Sequence, residues 1–279
     1  MTSTASPYAA TDARAIRPLS RSEWTTLAAT ELQAFLSLLD QLEPGDWERP
    51  TACTRWNVRD VVAHQAGHVQ MGAGLRGFLA QASPLANRGY RRSGMNQLDA
   101  LNQAEVDRRR ELPIEEVIAE LREGTPRSIQ SRERMPWLSR QVRIPVAPTG
   151  LMTLDRLLKE IFPRDMWIHR LDIADATGKP FAQTATHDGL LVRRAVADVS
   201  AFLSAHAKGF AVTLTLNGPA GGAWKLSCGN RPVSVEMSVV DFMRLSSGRL
   251  SAAQAAARAT ADAPPDLANT VLRAIRAPY

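Results

Sequence analysis

The stretch Leu158-Lys159-Glu160-Ile161-Phe162-Pro163-Arg164-Asp165-Met166-Trp167-Ile168-His169-Arg170-Leu171-Asp172-Ile173-Ala174-Asp175-Ala176 carries an apolar helix face that three ionisable residues interrupt. At the α-helical step of about 100° per residue, Leu158, Ile161, Phe162, Asp165, Ile168, His169, Asp172 and Ala176 share one side. Arg156, Lys159, Glu160, Arg164 and Arg170 take the other. The first side is the stripe that a packed helix turns to its core, so Asp165, His169 and Asp172 stand where apolar residues belong. A carboxylate in such a place costs several kcal/mol unless something compensates it. Asp165 and His169 are one turn apart, so an oxygen and an imidazole nitrogen can reach one point. Spacing alone leaves two readings open, a pair of metal ligands or a satisfied buried polar pair. Pro163, two residues before Asp165, is a candidate kink.

This helix is expected from Thr153 to Ala176, with Gly178-Lys179-Pro180 as its stop. Upstream, Trp24, Leu27, Ala28, Leu32, Phe35, Leu36 and Leu39 repeat at helical spacing between Ser20 and Leu42. A second helix is expected from the N-cap residue Asn57 to about Gln81, with Asp60 at its third position. On it His64 shares a stripe with Asp60, Val61, Met71 and Leu75, and His68 follows one turn later. A third ligand from this helix would complete, with Asp165 and His169, a set of two histidines and one carboxylate. Residues 96–111 and 114–123 are expected as two helical pieces, and the Pro-rich 124–152 as irregular. The first 18 residues lack periodicity and are expected as a mobile tail.

After Pro180 the texture changes. A helix at about 188–206 precedes three runs of period two, Ala211–Leu216, Trp224–Cys228 and Val233–Val239, expected as an antiparallel meander. Ala-rich helices close the chain. The fold class is therefore α+β, with a helical bundle at 19–180 and a small α+β domain at 185–279.

Composition narrows the function. Two cysteines, Cys53 and Cys228, exclude a disulfide scaffold or a thiolate zinc finger, and fit a reducing cytoplasm. No apolar run approaches the ~20 residues of a membrane span, and the N-terminus lacks the pattern of a secretory signal. A net charge of +6 and a pI near 9.9 suggest nucleic acid, but the basic residues are dispersed and mostly alternate with acids. A preference for small anions accounts for that charge better.

Two segments carry a resemblance. Pro50-Thr51-Ala52-Cys53-Thr54-Arg55-Trp56-Asn57-Val58-Arg59-Asp60-Val61-Val62-Ala63-His64 is similar to the opening of the mycothiol-dependent maleylpyruvate isomerase family. Arg164-Asp165-Met166-Trp167-Ile168-His169-Arg170-Leu171-Asp172-Ile173 resembles its second signature, an acidic residue, three others, then His-Arg-x-Asp. The resemblance implies a DinB-like four-helix bundle and a second domain like sterol-carrier proteins. It implies a divalent metal, zinc by ligand type, on His64, Asp165 and His169, and mycothiol as the thiol whose ionisation that metal promotes. Addition to an electrophilic, carboxylate-bearing small molecule would then give thiol transfer or cis–trans isomerisation. The family pattern has Glu where this chain has Asp165, one methylene shorter. Arg249, after the turn at Gly248, is the catalytic candidate of the C-terminal domain, because its fork suits a substrate carboxylate. Asp172 either orients a ligand histidine or bonds backbone. His68 reads as a pocket residue or spare donor, and Cys53 as structural. The Ala/Arg-rich composition is compatible with an actinobacterial source. The rival from another class is a non-catalytic carrier of a small molecule or lipid, with the bundle merely structural.

Overall fold

The computed structural model describes residues 8–74, 77–78, 83, 87–146 and 150–279. They divide into two compact units, Arg21–Val142 with Thr153–Phe181, and Met1–Ser20 with Arg143–Met152 and Ala182–Tyr279.

The first unit is helical. It comprises α1 (Arg21–Leu39), α2 (Val58–Gly72), α3 (Gln97–Asp107), α4 (Ile114–Arg134) and α5 (Phe162–Thr177). The α5 helix is entered without a break from a turn at Leu154–Arg156 and a π-helical turn at Leu157–Ile161. The α2 helix packs against α3, α4 and α5, while α1 packs against α4 and α5. Phe35, Val58, Val61, Val62, Val117, Leu121 and Ile173 are fully buried between them, each worth roughly 1.5–3 kcal/mol of apolar burial.

Asn57 starts α2 with a reciprocal cap: its side chain accepts from the Asp60 N–H at 2.9 Å, and the Asp60 carboxylate accepts from the Asn57 N–H at 3.3 Å. The α2 helix ends at Gly72 rather than near Gln81; Leu75, Arg76 and residues 79–82 lie outside the described residues. The larger difference is α4, which runs on through Pro126 to Arg134 where an irregular segment is expected. Its buried stripe reaches the proline as Gly124 and Thr125 and continues past it as Ser128 and Arg132. These residues are small or polar, so the apolar period that marks a helix fades although the packing persists.

Pro163 produces a widened turn, with the Phe162 N–H bonding Leu157 O, five residues back. Lacking an N–H, Pro163 cannot repeat that bond to the Leu158 carbonyl. Arg132 from α4 supplies the donor instead, Nη1 to Leu158 O at 2.6 Å. Gly178 closes α5 in the left-handed conformation, φ 72°.

The second unit holds α6 (Asp188–His206), α7 (Val239–Ser246), α8 (Ala252–Ala256) and α9 (Pro265–Arg273) beside a five-stranded sheet. The strands β1 (Thr11–Asp12), β4 (Phe210–Asn217), β5 (Gly222–Lys225), β6 (Arg231–Ser238) and β7 (Thr260–Asp262) are ordered β1-β5-β4-β6-β7, and β2 (Arg143–Val146) pairs with β3 (Gly150–Thr153). The three expected strands exist, but not as a meander: β6 crosses to the far side of β4 and lies parallel to it, from Phe210 opposite Arg231 to Asn217 opposite Ser238. Period two reports which side chains face the core and is blind to which neighbour a strand selects. The expected tail also differs. Thr11–Asp12 pairs with β5 in parallel, and Ala13 is buried behind it; residues 1–7 lie outside the described residues. Two residues are too few to show any period. Among the described residues no helix is long and apolar enough to cross a membrane.

Candidate metal centre

The α2 and α5 helices bring His64, His68, Asp165 and His169 together, and three of the four are nearly inaccessible to solvent. Asp165 is the hub. Its Oδ2 lies 3.4 Å from His64 Nε2 and 3.3 Å from His68 Nδ1, and its Oδ1 lies 3.5 Å from His169 Nε2. Aspartate in place of the longer glutamate therefore still reaches all three imidazoles. His64, His68 and Asp165 offer one ligand atom each, all within 4.8 Å of one another.

The far sides of the rings are held as well. His64 Nδ1 lies 2.8 Å from Glu105 Oε2, and His169 Nδ1 lies 3.0 Å from Asp172 Oδ2. A carboxylate only accepts here, so each Nδ1 carries a proton, and each Nε2 points to the centre, where it can bind a cation once it is deprotonated. Asp172 thus touches a candidate ligand rather than bonding only backbone. Gln65 Nε2 donates to Asp165 Oδ2 at 2.6 Å and fixes the hub.

The charges are coupled. Burial lowers the His64 pKa, but bonds to Asp165 and Glu105 outweigh it and raise the ring to about 9. For Asp165, burial works upward and loses to His169, then to His64 and His68, so its carboxyl stays well below the usual range. Glu105 Oε1 is buried without a partner among the described residues. Two imidazoles with bonded Nδ1 atoms, a carboxylate between their Nε2 atoms and an unsatisfied buried carboxylate oxygen together make a donor set that suits a divalent cation.

The segment before α2 builds the wall. Trp56 N–H donates to Cys53 O at 2.7 Å and Thr51 Oγ1 to Trp56 O at 2.9 Å, which folds Pro50–Asn57 into a tight loop. The loop sets the Trp56 ring 4.8 Å from that of His64, with the indole N–H tied to Gln103 at 3.1 Å. It also leaves Cys53 Sγ 3.8 Å from Asp172 Oδ2 and 4.0 Å from His169 Nδ1.

Residues 28–174, just over half of the chain, match the family described as the mycothiol maleylpyruvate isomerase N-terminal domain. The chain belongs to that family. In structure it is similar to the mycothiol-dependent maleylpyruvate isomerase, at a TM-score of 0.55 and 15% identity over 88% of this chain and 93% of that one. A crystal structure of a histidine-to-alanine mutant of that enzyme gives a TM-score of 0.56 and 16% identity over the same shares. At such identity the likeness is one of fold. No curated protein matches the chain in sequence.

Arg249 lies in the second unit, half-buried, after Gly248 at φ +83°. The helix before it is capped by Ser238, whose Oγ accepts from the Asp241 N–H at 3.0 Å.

Glu105 and Gln65 escape a reading of spacing. Glu105 had one signal: it follows Leu98 by seven residues and Leu101 by four, so it too interrupts an apolar stripe. Its approach to His64 depends on Gly67, where a Cβ would come within 2.5–2.7 Å of the Glu105 Cβ, Cγ and Cδ atoms.

Proposed function

We propose that this protein is a metal-dependent enzyme that uses mycothiol for thiol transfer to, or cis–trans isomerisation of, a small carboxylate-bearing electrophile. One observation carries the proposal: the Nε2 atoms of His64 and His169 face different oxygens of Asp165 while a carboxylate holds each Nδ1. His64, Asp165 and His169 would hold a divalent ion, zinc by ligand type, with His68 as a neighbouring donor. When bound, such an ion supplies positive charge that keeps a thiol ionised at neutral pH.

The chain's own residues set the conditions for that chemistry. Glu105 and Asp172 fix the tautomer and the rotation of the two rings. Gln65 holds Asp165 in place, and the Trp56 ring covers His64. Arg249, by its bidentate fork, is the candidate grip for a substrate carboxylate in the sheet unit. On this reading the helical unit is a DinB-like bundle and the sheet unit a sterol-carrier-like domain. A carrier of apolar ligands has no use for a buried cluster of imidazoles and carboxylates, which costs stability wherever it is not compensated.

The test combines metal content with thiol dependence. The purified protein should hold divalent metal in stoichiometric amount, and His64→Ala, Asp165→Ala and His169→Ala should each lose most of it while far-ultraviolet circular dichroism stays unchanged. Turnover of an electrophilic acceptor should require mycothiol, with glutathione a poor substitute. Full metal content in all three variants would refute the site. A rate indifferent to omitting every low-molecular-weight thiol would refute the chemistry.

A further inference from the structure

Two donors bound to one tetrahedral zinc at about 2.0–2.1 Å stand about 3.3 Å apart. Asp165 Oδ2 lies 3.3 Å from His68 Nδ1 and 3.4 Å from His64 Nε2, so both pairs match an edge of such a shell. Distances of this size also suit a hydrogen bond, but His68 Nδ1 makes none. The atom is buried and has no hydrogen-bond partner among the described residues, although Asp165 Oδ2 is within reach. The two atoms are near each other without being aligned as donor and acceptor, as two ligands of one ion are. His169 Nε2 approaches the same carboxylate from its other oxygen, at 3.5 Å.

Packing holds the His68 ring in this place. It stacks on Phe162 at 4.5 Å with 3° between the planes, and meets the His64 ring edge-on at 4.2 Å. His64 and His68 are four residues apart on α2, so one turn of helix presents both rings to Asp165. The three imidazoles are not equally secured. Glu105 holds His64 Nδ1 at 2.8 Å and Asp172 holds His169 Nδ1 at 3.0 Å. His68 Nε2 lies 3.8 Å from Glu105 Oε2, beyond hydrogen-bonding range. The His68 side chain is also the most exposed of the three, 12% against 1% for His64 and 5% for His169.

We infer that His68, through Nδ1, is a fourth protein ligand of the ion, which gives the centre three imidazoles and one carboxylate. The inference rests on the enzymatic reading and deepens it, since His68 takes the position that a catalytic zinc otherwise leaves open. The set is complete without a water or a substrate atom, and its least secured member is the ring most open to solvent. Three imidazoles beside one carboxylate suit zinc better than magnesium or calcium, whose shells are made of oxygen.

Zinc-edge X-ray absorption of the full chain loaded with zinc tests this without thiol or turnover, because imidazole ligands are counted by their multiple scattering. Wild-type protein should show three imidazoles. His68→Phe keeps a ring on Phe162 and offers no donor, so it should show two. In competition with a chromophoric chelator it should hold zinc about 10- to 100-fold more weakly, at least the loss that follows removal of a partner behind a ligand. His68→Ala makes the same comparison should the phenylalanine not be accommodated, and the wild-type count needs no variant at all. Two imidazoles in the wild type would overturn the inference while leaving His64, Asp165 and His169 as the centre. A count or an affinity unchanged in both His68 variants would overturn it in the same way. A wild-type protein that takes up no zinc would sink the enzymatic reading, and this inference with it.

Discussion

Gly67→Ala tests whether the approach of α3 to α2 builds the centre. The added Cβ would lie 2.5, 2.6 and 2.7 Å from Glu105 Cβ, Cγ and Cδ, against ordinary carbon contacts of about 3.5–4.0 Å. The shortfall is about 1 Å, and because Glu105 Cβ is fixed to the backbone no change of rotamer removes it. The α3 helix must back away. Overpacking of this kind costs roughly 1–3 kcal/mol, and alanine recovers up to ~1 kcal/mol as the better helix former, so the net loss is roughly 0–2 kcal/mol. The sharper effect falls on the metal. Glu105 Oε2 is 2.8 Å from His64 Nδ1, and a retreat of ~1 Å takes it beyond hydrogen-bonding range. Losing a partner of that kind typically lowers metal affinity ~10–100-fold. Zinc competition against a chromophoric chelator reads the affinity, and urea denaturation reads the stability. Glu105→Gln, which removes the charge without the collision, should lower the affinity with little effect on packing. A Gly67→Ala protein with wild-type affinity and wild-type stability would refute the steric reasoning. Lost stability with unchanged affinity would refute the role of Glu105.

Arg170 Nε bonds Glu31 Oε1 at 2.7 Å with both side chains buried, so Glu31→Ala should cost roughly 3–5 kcal/mol by urea denaturation, and a loss under 1 kcal/mol would contradict the pairing. In the metal-free protein His64 holds its proton up to about pH 9; zinc must displace it, so apparent affinity should rise about tenfold per pH unit from 7 to 9, and a flat profile would refute this coupling. The sign for stability is opposite. The raised His64 pKa stabilises the metal-free fold fully below about pH 6.5, and that contribution is lost as pH rises through about 9, which thermal melts of metal-free protein should show. Arg249→Lys keeps charge and loses the fork; a large rate loss with metal retained is expected on an acidic substrate, and unchanged turnover would leave Arg249 a surface residue.

Asp165 and His169 stood out in the sequence because an ionisable residue on an apolar stripe violates the helical pattern at a countable position. His64 stood out in the same way on α2. The groups that hold these side chains have no such signature. Gln65 is adjacent to His64 in sequence, yet its amide reaches Asp165 only because α5 packs against α2. Arg132 looks like one more charge on a polar helix until Pro163, thirty-one residues later, removes the N–H that the Leu158 carbonyl would have used. Likewise the parallel pairing of β4 with β6 leaves no trace in their alternation, since either neighbour satisfies the same pattern of buried valines. Periodicity records what one element does to its own two faces. Close approach between elements is recorded only where a side chain is missing, and here the missing side chains are those of Gly67 and Gly72. The first admits Glu105 to the back of His64, and the second admits Arg132 and Ser128 to the face of α2. Glycine weakens a helix relative to alanine by up to ~1 kcal/mol, and both glycines lie about one turn or less from a histidine that faces Asp165. Their cost is explained if α2 is shaped for the groups that crowd against it as much as for its own stability.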